Sequence, residues 1–111
     1  MANRNLFFDT AMQYGLNDEE RKLLNDLFSK HHKLDAVILY GSRAKGNFRP
    51  NSDVDICLVG TQLTKSDMNA IDNEIDDLLL PYFFDISIFH HITNTDLLDH
   101  IHRVGIQLYS K

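Results

Sequence analysis

Apolar residues change their spacing several times along the chain, and each change marks an element. After Asn17 the apolar positions Leu23, Leu24, Leu27 and Phe28 recur with a helical period, and Asn17 and Glu20 stand in capping-box register. This predicts a helix from Asn17 to about His31, with a shorter one ahead of it from Leu6 to Met12, ended by Gly15. Ala36 to Tyr40 is an unbroken apolar run that stops at Gly41, the pattern of a strand buried on both faces. In DVDICLV, Asp53 to Val59, the spacing becomes two: Val54, Ile56 and Leu58 share one face, so Asp53 and Asp55 share the other. Helical spacing returns between Thr64 and Leu79 through Met68, Ile71, Ile75, Leu78 and Leu79, and Pro81 stops it. Tyr82 to Phe89, YFFDISIF, reads as a third strand in which Asp85 stands alone among apolar neighbours. A last helix from Thr93 or Asn94 turns Leu97, Leu98, Ile101 and Val104 inward and is capped by Gly105, and Ile106 to Tyr109 closes the chain as a strand.

This order implies one domain over residues 1-111, an α/β (α+β) arrangement with helices packed on a small sheet. The periodicity leaves the strand directions open. At 111 residues the chain can bury roughly 65% of its unfolded surface, enough for one modest core but not for a separate substrate domain. A large acceptor must therefore be held partly by another chain.

The net charge of −5 argues against a general nucleic-acid surface, which is built from excess Lys and Arg. Cys57 is the single cysteine, so no intrachain disulfide and no multi-cysteine zinc site can form, as expected in a reducing cytoplasm. Its place beside the acidic strand reads as a small buried side chain. The N-terminal residues lack the apolar core of a signal peptide, and no stretch approaches the about 20 apolar residues of a membrane span, which predicts a cytoplasmic protein. The six histidines fall in three close pairs, His31-His32, His90-His91 and His100-x-His102, and read as polar residues at element ends.

The chemistry concentrates in YGSRAKGNFRPNSDVDI, Tyr40 to Ile56. Two strand residues two positions apart project carboxylates into a shared volume, where Asp53 and Asp55 would repel unless a divalent cation favoured both charges. Oxygen donors with open positions suit Mg²⁺, with Mn²⁺ as the alternative, and a pair of such ions can clamp the attacking and leaving oxygens of a nucleotidyl transfer. A third carboxylate completes such a clamp, and Asp85 is the candidate, provided its strand face adjoins that of Asp53 and Asp55. On the other side, Gly41 permits a backbone closed to larger residues, Ser42 can open a helical turn aimed at an anion, and Arg43, Lys45 and Arg49 can contact phosphate. Gly41 and Gly46 have the glycine spacing of a P-loop, but Asn47 and Phe48 stand where Lys and Ser or Thr are required, so that reading fails.

Gly-Ser, ten residues, then Asp-Val-Asp resembles the signature of the polymerase-β-like nucleotidyltransferase superfamily. The length, and the residues Gly41, Ser42, Arg43, Ala44, Gly46, Ser52, Asp53 and Asp55, resemble its minimal nucleotidyltransferase (MNT) branch. Asp85 and the terminal RVGIQLY extend the likeness, although Val104 stands where many relatives have Glu. The resemblance implies a nucleotidyltransferase-like fold with a small mixed sheet, and Mg²⁺-dependent transfer of a nucleoside monophosphate, AMP from ATP, to a hydroxyl acceptor. It implies that Asp53, Asp55 and Asp85 are catalytic and hold metal, and that the Gly41, Ser42, Arg43 and Lys45 segment binds the nucleotide. It also implies a helical HEPN-type protein as partner, in a toxin–antitoxin pair in which the transferase modifies the toxin. Nucleic acid is not expected as a ligand, and an oligomer is allowed. The rival expectation is a non-catalytic subunit of the same fold that binds and neutralises a helical partner.

Overall fold

The structure, a computed structural model, describes residues 12–111. The helix expected over Leu6 to Met12 lies outside these residues except at its last position, and there the chain is extended. Met12–Gln13 (β1) pairs antiparallel with Leu16–Asn17 (β2). Tyr14 and Gly15 both have positive φ, 59° and 79°, so the glycine read as a helix end belongs to a two-residue hairpin turn, whose twist suits the flanking strands.

Helix α1 spans Asp18–Ser29 behind the predicted capping box, in which the Asn17 side chain accepts from Glu20 N and the Glu20 carboxylate accepts from Asn17 N. Leu24, Leu27 and Phe28 are buried, whereas Leu23, one position off their stripe, is 37% exposed. Each fully buried side chain of this size contributes about 1.5–3 kcal/mol. Asn17→Ala is expected to cost about 1 kcal/mol through the lost cap, readable as a lower urea midpoint at unchanged slope.

Ala36–Tyr40 (β3), Val54–Val59 (β4), Phe84–Ile88 (β5) and Ile106–Ser110 (β6) form a four-stranded sheet in the order β5-β4-β3-β6. β3 is antiparallel to both its neighbours and β4 is parallel to β5, so the sheet is mixed. Between these strands lie α2 (Gly41–Lys45), α3 (Lys65–Asp77) and α4 (Thr95–Val104), and a 3-10 turn over Phe89–His91 follows β5.

One sheet face carries Val37, Leu39, Val54, Ile56, Leu58 and Ile88 and makes the main core with α1 and with Ile71 and Ile75 of α3. Leu79, expected on that inner face, lies beyond the helix with φ 57° and is 87% exposed. The chain has already turned towards Pro81, and Leu78 and Leu80 pack against the core instead. On the opposite sheet face α4 places Ile101 against Tyr40 and Cys57. Gly105 has φ −58°, so its role is not a left-handed cap. A Cβ there would stand 2.3 Å from Ile101 O and 2.8 Å from Ile38 Cγ2, and glycine lets the α4–β6 corner close onto β3.

Candidate active site

The second face of the sheet holds the acidic residues. Alternation along β4 buries Val54 and Ile56 and turns Asp55 the other way, with Asp53 two residues ahead of it. The parallel register of β4 and β5 then pairs Asp55 with Asp85. Adjacent strands lie about 4.8 Å apart, so these two residues are immediate neighbours, the adjacency that the sequence left undecided. Asp53 and Asp85 are exposed and Asp55 is half-buried.

The Asp55 carboxyl is held above the usual carboxylate range by burial first, then by the negative charges of Asp85 and Asp53, with the Arg43 guanidinium opposing. A raised native value means that the folded protein binds more protons than the unfolded chain between the ordinary carboxylate range and that raised value. The stabilisation is complete below this window and is lost as pH rises through it. Metal-free Asp55→Asn is therefore expected to melt higher than wild type at neutral pH and at the same temperature near pH 3, as thermal unfolding in chelator across pH would show.

β3 runs directly into α2 at Gly41, which has φ +75°. A Cβ on Gly41 would lie 2.2 Å from Asp55 Oδ2, so glycine is needed both for the turn and for the carboxylate packed on it. The Gly41 N–H donates to His100 Nε2 at 3.0 Å. Ser42 is half-buried at the start of α2, Lys45 is exposed at its end, and Gly46, φ 88°, caps it.

Arg43 departs from the sequence expectation of a phosphate contact. It is 2% exposed, and its guanidinium donates to Tyr14 O (2.8 Å), Pro50 O (3.3 Å) and Ser52 O (2.8 and 3.1 Å). It also lies between the Phe48 and Tyr82 rings, 5.1 and 5.0 Å from their centroids. The Tyr82 hydroxyl in turn donates to Glu20 Oε1 and Gly15 O. Arg43 thus ties the β1–β2 hairpin and the 49–52 loop to α2, and that loop delivers Asp53. In this arrangement its Nε, Nη1 and Nη2 all donate to carbonyl oxygens.

His100 is the site neighbour that sequence reasoning missed, having placed it at a polar helix end. Its spacing from Ile101 and Leu97 gave no sign of a partner 59 residues away. Tyr40, buried and paired with Asp55 across β3 and β4, has its hydroxyl 3.5 Å from Ser87 Oγ and its phenol pushed above the usual range, mainly by burial. Cys57 is fully buried, and burial pushes its thiol up to about 11, consistent with an inert packing role.

Among the described residues no group of three His, Cys, Asp or Glu side chains is gathered so as to hold a metal ion. The donor set nevertheless suits a hard divalent cation. Asp55 and Asp85 are in register, their mutual repulsion is what such an ion would relieve, and magnesium sites leave positions to water and substrate phosphate.

The family model described as Polymerase beta, Nucleotidyltransferase matches residues 22–111, and the chain belongs to that family. Its fold is similar to that of a chain in a toxin–antitoxin crystal structure with AMP-PNP, at TM-score 0.67 and 22% identity over 82% of this chain and 73% of that one. A complex of the tri-AMPylated HEPN toxin of Shewanella oneidensis with its MNT antitoxin gives TM-score 0.58 at 18% identity, with 82% and 73% covered. A MntA–HepT toxin–antitoxin structure gives 0.61 at 19%, with 82% and 70% covered. No curated protein sequence matches significantly. No helix among the described residues is long and apolar enough to cross a membrane.

Proposed function

We propose that residues 1-111 form a single transferase domain that moves AMP from ATP to a hydroxyl on a HEPN-type partner, in the cytoplasm and as the antitoxin of a pair. The observation that carries this reading is the register of β4 and β5, which sets Asp85 beside Asp55 over the Gly41 turn. Asp53, Asp55 and Asp85 would hold Mg²⁺, which when bound neutralises phosphate charge and aligns the reacting oxygens.

The chain's own residues supply the rest. Ser42 donates its hydroxyl to the triphosphate, and Lys45, exposed at the end of α2, neutralises it from outside. Asp55, packed on Gly41, keeps the phosphates and carboxylates in fixed register. Asp85 lies on the edge strand of the sheet, the side open to an acceptor, and takes the proton of the incoming hydroxyl. The hydroxyl oxygen bonds to the α-phosphorus as the α–β bridging bond breaks, and pyrophosphate leaves. The fold similarity to complexes with HEPN toxins supports the choice of partner, and the AMP-PNP complex supports the choice of nucleotide.

The test is co-purification with a small helical protein of the HEPN type, incubation with α-labelled ATP and Mg²⁺, and intact-mass analysis. An AMP adduct on the partner is expected. Tight binding and neutralisation with no adduct under any nucleotide would overturn the reading in favour of a non-catalytic subunit.

A further inference from the structure

His100 is unused by the chemistry above, yet it touches the turn on which that chemistry depends. A backbone N–H can only donate, so at His100 Nε2 the lone pair receives the Gly41 hydrogen and Nδ1 carries the ring proton. The imidazole stands edge-on to Tyr40, with ring centroids 6.1 Å apart, and its helix is anchored independently by Ile101 in the Tyr40–Cys57 cluster. Gly41 is therefore held from two directions: the Asp55 carboxylate occupies the space of its missing side chain, and the imidazole takes its amide.

Gly41 is half-exposed, so water could satisfy this amide if the imidazole were gone. Water would not fix the direction of the amide. Glycine at φ +75° has more backbone freedom than any other residue, and a turn made of it needs an external partner to keep one orientation. We propose that His100 is a positioning residue for nucleotidyl transfer: by accepting the Gly41 hydrogen bond it sets the Gly41–Ser42 turn against Asp55, and so the phosphates against the carboxylates. The inference rests on the transferase reading of the site. It requires an acceptor at the position of Nε2, not an ionisable group, and the side-chain oxygen of glutamine reaches about as far.

The experiment compares His100→Ala and His100→Gln in the full chain. With MgATP and the partner, the alanine variant is expected to lose about 10- to 100-fold in kcat while its nucleotide KM moves by less than about 3-fold, the pattern of misplacement and not of lost binding. Glutamine is expected to restore kcat to within about 3-fold of wild type. Wild-type kcat in the alanine variant overturns the proposal, as does a glutamine variant as slow as alanine when both are folded. A second readout is independent of activity: in ¹⁵N-labelled protein without nucleotide, the Gly41 amide should shift and exchange faster in His100→Ala but not in His100→Gln. A Gly41 resonance unchanged by alanine sinks the idea. If the amide responds as expected while wild-type protein transfers nothing, the hold on Gly41 is supported and the transferase reading is what fails.

Discussion

Asp55→Asn is expected to lower nucleotidyl transfer by about 10³-fold or more while leaving the protein folded. A ligand to a catalytic divalent ion contributes several kcal/mol of charge stabilisation in the transition state, and each 1.4 kcal/mol is about tenfold in rate. Asp55 is the carboxylate with least freedom to be replaced by its neighbours, because it is paired with Asp85 and is packed on Gly41. Asn keeps the shape and removes one oxygen's charge, so the loss reads the site and not the packing. The metal-free stability gain expected of the same variant is the control: lower activity together with a higher melting temperature at neutral pH cannot come from unfolding. Label transfer from α-labelled ATP at rates within tenfold of wild type, in a variant shown to be folded, would mean that Asp55 does not hold the ion.

The second large effect falls on stability. Arg43→Leu is expected to cost about 4 kcal/mol, from the half-buried Tyr14 and Ser52 carbonyls left without their donor at about 1–3 kcal/mol each and from the lost ring contacts, while the exposed Pro50 carbonyl turns to water. The Tyr14, Pro50 and Ser52 carbonyls all accept from this one guanidinium. For a domain of this size that is a large share of a total near 5–15 kcal/mol, and Arg43→Lys should recover only part of it, since an ammonium cannot replace a five-donor fork. Urea denaturation separates this role from the one its neighbours in sequence suggest. A phosphate-binding arginine would leave the midpoint unchanged and weaken nucleotide binding. A change below about 1 kcal/mol in Arg43→Leu would argue that the 49–52 loop and the hairpin hold themselves.

Arg43 also shows where reading along the chain stops. In sequence it is a cation next to a Gly-Ser turn and ahead of two aspartates, and its charge suggests an anion. Its carbonyl partners come from the hairpin and from a loop, and no periodicity announces a carbonyl. His100 was misread for the same reason: a His-x-His on a helix looks like a polar surface until the sheet brings Gly41 beneath it. Leu23 and Leu79 erred differently, as apolar residues at plausible helical spacing that the real helix leaves at the rim or beyond its end. By contrast the capping boxes at Asn17 and Thr64 are complete within four residues. The boundaries of α1, α3 and the four sheet strands accordingly fall close to those expected.

What the sequence determined by itself is everything that depends on residues a few positions apart: the helices and strands, the burial of Val54, Ile56 and Leu58, and the turn of Asp55 to the opposite face. These follow from the 3.6- and 2-residue periods and from local hydrogen bonds, which a short segment satisfies alone. The tertiary structure alone decided that Asp85 stands beside Asp55, that Arg43 is buried, and that His100 meets Gly41. Those depend on strand order, direction and register, and a ladder selects its register by the whole set of side chains packed on both faces. No segment of the chain carries that sum.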